Sequence, residues 1–335
     1  MTETPPGLDL AALQAHLGTG PLRAELIEGG RSNLTYRLTD GTERWVLRRP
    51  PLGHVLATAH DMAREYRVIG ALHGSPVPVP RPVRLTEDPA VIGAPFYLME
   101  FVEGTAHRDS AALAALGPAR VQALAGHLVD TLVALHAVDP AEVGLADFGR
   151  PDGFLARQVQ RWGKQLAASR SREVPGIDAL AGQLADRLPA SPAPTLVHGD
   201  YRLDNVLVGP DDRITAVLDW EMSTLGDPLT DLGLLVMYTE LAAEFAGVIP
   251  GVALAPGFPS GAELVERYAA GTAGSGREVG RVAWYVAFAS FKLAVVLEGI
   301  HFRYQQGRTV GAGFDRVGQL VPLFVAHGLT ALKEH

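Results

Sequence analysis

Apolar and polar positions alternate from Leu34 to Leu38 and again from Trp45 to Arg49, which predicts two strands. Ahead of the first lies Leu26-Ile27, and the turn-forming residues Glu28-Gly29-Gly30-Arg31-Ser32-Asn33 separate the two. From about Ala57 to Leu72 the period becomes helical, with Met62, Glu65, Tyr66, Ile69 and Leu72 on one side. Val77-Pro78-Val79-Pro80-Arg81-Pro82-Val83 is a stiff extended connector, and Pro95 to Val102 is an apolar strand ended by Glu103-Gly104. Beyond Gly104 long helical periodicity covers 113–137 and 154–188. Strand character returns in Thr195-Leu196-Val197, Val206-Leu207-Val208 and Ile214 to Leu218, the last two parted by Gly209-Pro210-Asp211-Asp212-Arg213 as a hairpin. Further helices are expected from Pro228, Ala262, Gly280 and Phe314. This order predicts an α+β chain in two lobes: 1–102, a mainly antiparallel sheet with one helix, and 103–335, helical and carrying the late hairpin.

The polar residues that interrupt this hairpin region carry the chemistry. His198-Gly199-Asp200 breaks the first apolar run, Asn205 follows five residues after Asp200, and the antiparallel return delivers Asp219 to the same end. A carboxylate that orients a hydroxyl, with an amide oxygen and a second carboxylate as hard ligands for Mg²⁺, is the set that phosphoryl transfer needs. The N-terminal part offers complementary features. Its Gly29-Gly30 turn can bring backbone N–H groups close to phosphate oxygens. Strand alternation puts Val46 and Arg48 on one face and Trp45, Leu47 and Arg49 on the other. Glu65 falls within an apolar helix face, where a carboxylate is costly without a partner, and Arg48 is the natural one.

The stretch LVHGDYRLDNVLVGPDDRITAVLDWE, residues 196–221, resembles the catalytic and metal-binding loops of the kinase superfamily in the form used by the aminoglycoside phosphotransferase family. There HGD stands in place of H-R-D and D-W in place of D-F-G. The resemblance implies a protein-kinase-like two-lobed fold, ATP and Mg²⁺ as cofactors, Asp200 as catalytic base, Asn205 and Asp219 as Mg²⁺ ligands, and His198 as support for the loop. It aligns Arg48 with the nucleotide-binding Lys and Glu65 with its helix partner. It assigns Gly29, Gly30, Ser32 and Asn33 to the nucleotide loop, and the backbone of Glu100, Phe101 and Val102 to the adenine edge. In D-P-x-x-D-L-G, read here from Asp227, it makes Asp231 a structural support that holds the catalytic loop. The chain departs from the kinase pattern twice, with Arg48 where Lys is usual and without G-x-G-x-x-G. Arg keeps the charge but grips as a planar fork.

Composition narrows the setting. The chain has 335 residues, ample for two cores, and no cysteine, which excludes disulfides, thiolate catalysis and Cys-zinc sites. Its net charge of −8 and lack of a basic cluster argue against nucleic acid. MTETPPGLDL does not read as a signal peptide, and the apolar run from Val282 to Ile300 is interrupted by Lys292 and Glu298, so a buried helix rather than a membrane crossing is expected and the protein is placed in the cytoplasm.

For the acceptor, WVLRRPP, REYRVI, VPVPRP, YLMEFVEG and LDWEMSTLGDPLTDLG are similar to the kinase-like domain fused to some acyl-CoA dehydrogenases and its free-standing bacterial relatives. That similarity implies phosphorylation of a small-molecule hydroxyl on a hydroxyacyl-CoA or related metabolite, and a functional link to an acyl-CoA dehydrogenase. Choline, homoserine and aminoglycosides remain alternative acceptors, and Glu221, directly after Asp219-Trp220 and facing the cleft, could serve a hydroxyacyl-CoA or an aminoglycoside. A nucleotide-binding pseudokinase with a regulatory role is the alternative outside catalysis.

Overall fold

The computed structural model describes residues 5–27, 33–52, 60–244, 251–275, 279–280, 282–308 and 314–333. The chain divides into two compact units, Met1–Gly104 with Thr215–Ser223, and Thr105–Ile214 with Thr224–His335. The segment after the hairpin loop, expected with the second lobe, thus groups with the first.

Unit 1 is built on a five-stranded antiparallel sheet in the order β1-β2-β3-β5-β4. Its strands are β1 (Arg23–Leu26), β2 (Leu34–Thr39), β3 (Arg44–Arg49), β4 (Pro82–Thr86) and β5 (Phe96–Glu100). Asp40 closes the β2–β3 turn by accepting from the N–H groups of Thr42 (2.9 Å) and Glu43 (2.8 Å). In the ladder Leu47 lies opposite Tyr36 and Leu98, and Arg48 opposite Thr35 and Tyr97. One face therefore buries Tyr36, Leu38, Leu47, Phe96 and Leu98 together with Leu8 and Leu13. Leu13 comes from a helix the sequence pattern did not predict, α1 (Leu10–Leu17), capped by the Asp9 side chain and ended by Gly18 at φ +68°. Helix α2 (Met62–Leu72) begins later than expected, at the N-cap Asp61, and buries Glu65, Val68, Ile69 and Leu72.

Unit 2 is mostly helical. The expected 113–137 helix is split into α3 (Ser110–Ala114) and α4 (Pro118–Ala137) at Gly117-Pro118, and the 154–188 stretch into α5 (Phe154–Ser169) and α6 (Ile177–Asp186) around Pro175-Gly176. The strand β6 (Thr195–Val197) pairs antiparallel with the short β9 (Thr224–Gly226), a non-local pairing absent from the sequence reading. β7 (Val206–Val208) and β8 (Ile214–Val217) form the expected two-stranded sheet. Helices α7 (Leu229–Glu240), α8 (Gly261–Gly271), α9 (Val282–Gln305) and α10 (Val317–Ala331) follow.

At the head of α7, Asp227 accepts from the Leu229 N–H at 3.0 Å and from the Tyr285 hydroxyl at 2.8 Å. α9 is long and apolar enough to cross a membrane by composition, but 78% of its apolar window is buried inside the protein. A helix apolar all round is what a central core helix requires. Its Glu298, fully buried, accepts from Arg172 Nη2 at 2.9 Å and from the Ser171 hydroxyl at 3.2 Å.

Gly233 lies where α7 crosses α9, and a Cβ there would sit 2.6 Å from the Tyr285 backbone carbon. Gly233→Ala is therefore expected to destabilise the protein by about 1–3 kcal/mol despite the better helix propensity of Ala. Urea denaturation of the variant checks this.

Candidate active site

Strand register builds a first cluster of charged residues in unit 1. Arg48 and Tyr97, paired across β3 and β5, project together toward α2. Arg48 Nε lies 3.0 Å from Glu65 Oε2, and the Tyr97 hydroxyl donates to the same oxygen at 2.9 Å. Arg48 Nη2 also donates to Asp219 Oδ1 at 2.8 Å, so one guanidinium joins two carboxylates. Burial opposes the charge on Arg48, but Glu65 first, then Tyr97, Asp219 and Glu221, hold it above the ordinary arginine value. Burial lifts Glu65 above the usual carboxylate value, with Arg48 pulling the other way. Tyr97→Phe removes one hydrogen bond to a buried carboxylate and leaves the ion pair, so a loss of about 1–3 kcal/mol is expected in thermal or urea unfolding.

Asp219 occupies the left-handed region at φ 65°, ψ 60°, a conformation that a non-glycine residue holds only when its surroundings impose it. The imposing contacts are local. Trp220, 1% exposed, donates from its indole to the Val217 carbonyl at 3.1 Å. Ser223 bonds back to the Trp220 carbonyl through its hydroxyl at 2.6 Å, and Arg64 of α2 donates to the Ser223 carbonyl at 3.1 Å.

The other nucleotide-side candidates fall out as follows. Asn33 is buried, its amide donating to Glu65 Oε1 (3.1 Å) and Glu221 Oε2 (3.0 Å) while His60 Nδ1 lies 2.8 Å from its oxygen. Its side chain is therefore committed to protein partners. Gly29, Gly30 and Ser32 lie outside the described residues. At the end of β5 the N–H groups of Glu100 and Phe101 donate to the carbonyls of Arg81 (2.9 Å) and Arg44 (3.3 Å), and Val102 follows, half-buried.

A second cluster of polar residues lies in unit 2. Gly199, at φ +85°, makes the turn after β6 that only a residue without Cβ adopts easily. Asp231, near the start of α7 and fully buried, accepts from the N–H groups of His198 (2.7 Å) and Gly199 (2.8 Å). His136 of α4 reaches the same carboxylate at 3.3 Å, its other ring nitrogen 2.8 Å from the Tyr268 hydroxyl. Burial would raise Asp231, but His136 above all, with His198 and the Gly199 N–H, brings it below the ordinary carboxylate value.

Beyond the turn, Asp200 N–H donates to His198 Nδ1 at 3.2 Å. Asn205, ending a single 3₁₀ turn, donates to the Asp200 carbonyl (2.9 Å) and to Asp200 Oδ2 (3.0 Å). With its nitrogen so engaged, the Asn205 amide oxygen is the atom left to face a ligand. Among the described residues Asp219 has a hydrogen-bond partner only at Oδ1, which leaves Oδ2. Both are hard oxygen donors, the kind Mg²⁺ takes.

Two cations near Asp200 were not foreseen as site residues. Arg202 has its Nε 3.9 Å from Asp200 Oδ2, pairs with Asp204, and lies over the Tyr238 ring at 4.9 Å. Lys292, from the middle of α9, donates to the Gly199 carbonyl at 2.8 Å and faces Trp162 at 5.8 Å. Burial pulls Lys292 below the ordinary lysine value, countered by Asp200 and Asp231. A charge inside an otherwise apolar helix was the available signal for Lys292.

An antiparallel sheet with one helix bearing the partner of a strand arginine, followed by a helical unit with the His198–Asp200 turn, defines a kinase-like phosphotransferase fold. The model of the phosphotransferase enzyme family matches residues 23–277. The chain belongs to that family. A solved protein from Ralstonia eutropha JMP134, provisionally assigned as an aminoglycoside phosphotransferase, is 35% identical with a TM-score of 0.84, covering 97% of this chain and 98% of its own. A thermostable mutant of aminoglycoside phosphotransferase APH(4)-Ia, solved with AMP-PNP and hygromycin B, shares the fold at TM-score 0.65 and 15% identity over 96% of this chain and 97% of that one. Acyl-CoA dehydrogenase family member 10 of Mus musculus is 35% identical over 306 residues, which is 90% of this chain and 28% of that protein. The chain spans well under half the length of the curated relatives it matches.

Proposed function

We propose that this phosphotransferase moves the γ-phosphoryl group of ATP to a hydroxyl of a hydroxyacyl-CoA-type metabolite. The observation that carries the chemistry is the Asp200–Asn205 pair held on a turn clamped by Asp231. Asp200 orients the acceptor hydroxyl and takes its proton as the oxygen attacks phosphorus. Arg48 binds the nucleotide phosphates, and Glu65 keeps its guanidinium aimed at them. Asn205 and Asp219 would hold Mg²⁺, which when bound neutralises phosphate charge. Asp231 and His198 keep the turn in shape, Gly29, Gly30, Ser32 and Asn33 line the nucleotide loop, and backbone groups from Glu100 to Val102 meet the adenine edge. The phosphorylation is placed in the cytoplasm, with no nucleic-acid or membrane partner.

Support for the acyl-thioester acceptor comes from the likeness to a segment of proteins named as acyl-CoA dehydrogenases, which also motivates a functional link to such an enzyme. A regulatory pseudokinase is the second reading, favoured by Arg48 standing where Lys is usual and by its engagement of both Glu65 and Asp219. Comparing kcat/KM for MgATP-dependent phosphorylation of hydroxyacyl-CoAs, choline, homoserine and aminoglycosides tests the assignment. Preference for a hydroxyacyl-CoA supports it, and preference for an aminoglycoside refutes it.

A further inference from the structure

Lys292 is the one lysine or arginine in the stretch from Val282 to Ile300, and all but a few of its neighbours along α9 are buried apolar side chains. Its ammonium is half-buried, donates to the Gly199 carbonyl at 2.8 Å, and otherwise meets the face of Trp162. Among the described residues it forms no ion pair; Asp200 and Asp231 act on it from a greater distance, and Arg161 opposes them. An unpaired cation in such a place costs stability, and apolar packing of α9 would be better served by Met or Leu.

What the cation touches explains its presence. The Gly199 residue, at positive φ, is gripped at both ends of its own backbone: its N–H by Asp231 of α7 and its C=O by Lys292 of α9. The next residue is Asp200. Two helices of the same unit thus hold the residue that precedes Asp200, one at its N–H and the other at its C=O. Asp231 fixes the Gly199 N–H, which belongs to the preceding peptide, and the Gly199–Asp200 peptide is held at its own N–H by the 3.2 Å bond to His198 Nδ1. The bond from Lys292 fixes the carbonyl end of that same peptide.

We infer that Lys292 is a positioning residue for Asp200, acting through the Gly199 carbonyl to hold the carboxylate in the orientation that accepts the hydroxyl proton. This rests on the reading of Asp200 as the base. A small rotation of that carboxylate lowers the rate steeply because proton transfer demands hydrogen-bond geometry, whereas nucleotide binding does not pass through this peptide.

The test compares the full-length wild type with Lys292→Met, Lys292→Arg and Asp200→Asn, measuring kcat, KM for MgATP and Tm with the best acceptor. Lys292→Met keeps the aliphatic stem and loses the donor and the charge. Its kcat is expected to fall about 10- to 100-fold, with KM for MgATP within about twofold. Its Tm should hold or rise, because a costly buried cation is gone. Lys292→Arg, which can still donate to the carbonyl, should recover much of the lost kcat. A Lys292→Met enzyme with kcat within about threefold of wild type overturns the inference. So does a loss of kcat that tracks a fall in Tm and is not relieved by Lys292→Arg, which marks a merely structural contact. If Asp200→Asn turns over normally, the base assignment itself fails and the inference with it; if Asp200→Asn is inactive while Lys292→Met is normal, only the role of Lys292 is refuted.

Discussion

Asp200→Asn is expected to lower kcat by about 10²- to 10⁴-fold, the range for loss of a positioned general base. The substitution is nearly isosteric and spares the surrounding scaffold. The backbone N–H still meets His198 Nδ1, and the backbone carbonyl still accepts from Asn205. What is lost is the capacity to take a proton, since an amide oxygen cannot act as a base near neutral pH. MgATP binding should be largely unchanged because Arg48 and Glu65 are untouched. Steady-state kinetics alongside nucleotide titration separate the two effects. A variant with kcat within a few-fold of wild type would remove Asp200 from the chemistry.

Asp231→Ala should cost the most stability of any single change in the site. The carboxylate is fully buried and satisfies the N–H groups of His198 and Gly199 and the ring of His136. Truncation strands all three in a place water cannot reach, and a loss of about 3–5 kcal/mol is expected. The same carboxylate gives stability a pH dependence of definite sign. Because His136 and the backbone donors hold Asp231 below its ordinary value, it binds fewer protons folded than unfolded. Its contribution is complete above the unfolded carboxylate value, about pH 4, and fades as pH falls through the lower folded value. Asp231→Asn should flatten that acid slope in urea denaturation between neutral pH and pH 3. Catalysis should fail together with stability, since the His198-Gly199 turn loses its anchor.

The sequence made local order legible where one period ran long enough. Alternation from Trp45 to Arg49 fixes which face Arg48 occupies, and helical spacing places Glu65 within an apolar face. The meeting of these two at 3.0 Å follows from the cost of leaving either charge unpaired. The polar triplet His198-Gly199-Asp200 and Asn205 stand out because they interrupt strands. Three kinds of feature were hidden.

Short elements such as α1 and β9 carry too few residues to show a period, although Asp9 and Gly18 mark the ends of the former. The helix breaks at Gly117-Pro118 and Pro175-Gly176 lie inside runs whose apolar spacing continues on both sides. Contacts between distant segments leave no local signature: Lys292 meets Gly199 across 93 positions. Composition can flag Lys292 as costly in its helix without saying what offsets the cost.

Transfer of a phosphoryl group from MgATP to a small-molecule hydroxyl is measured by incubating the protein with MgATP and the acceptor panel and quantifying ADP and new phosphomonoester together, with Asp219→Asn as the control. Equal amounts of ADP and phosphomonoester are expected with one acceptor class, both abolished in Asp219→Asn. No ADP, no phosphomonoester and no binding of MgATP would refute the transfer.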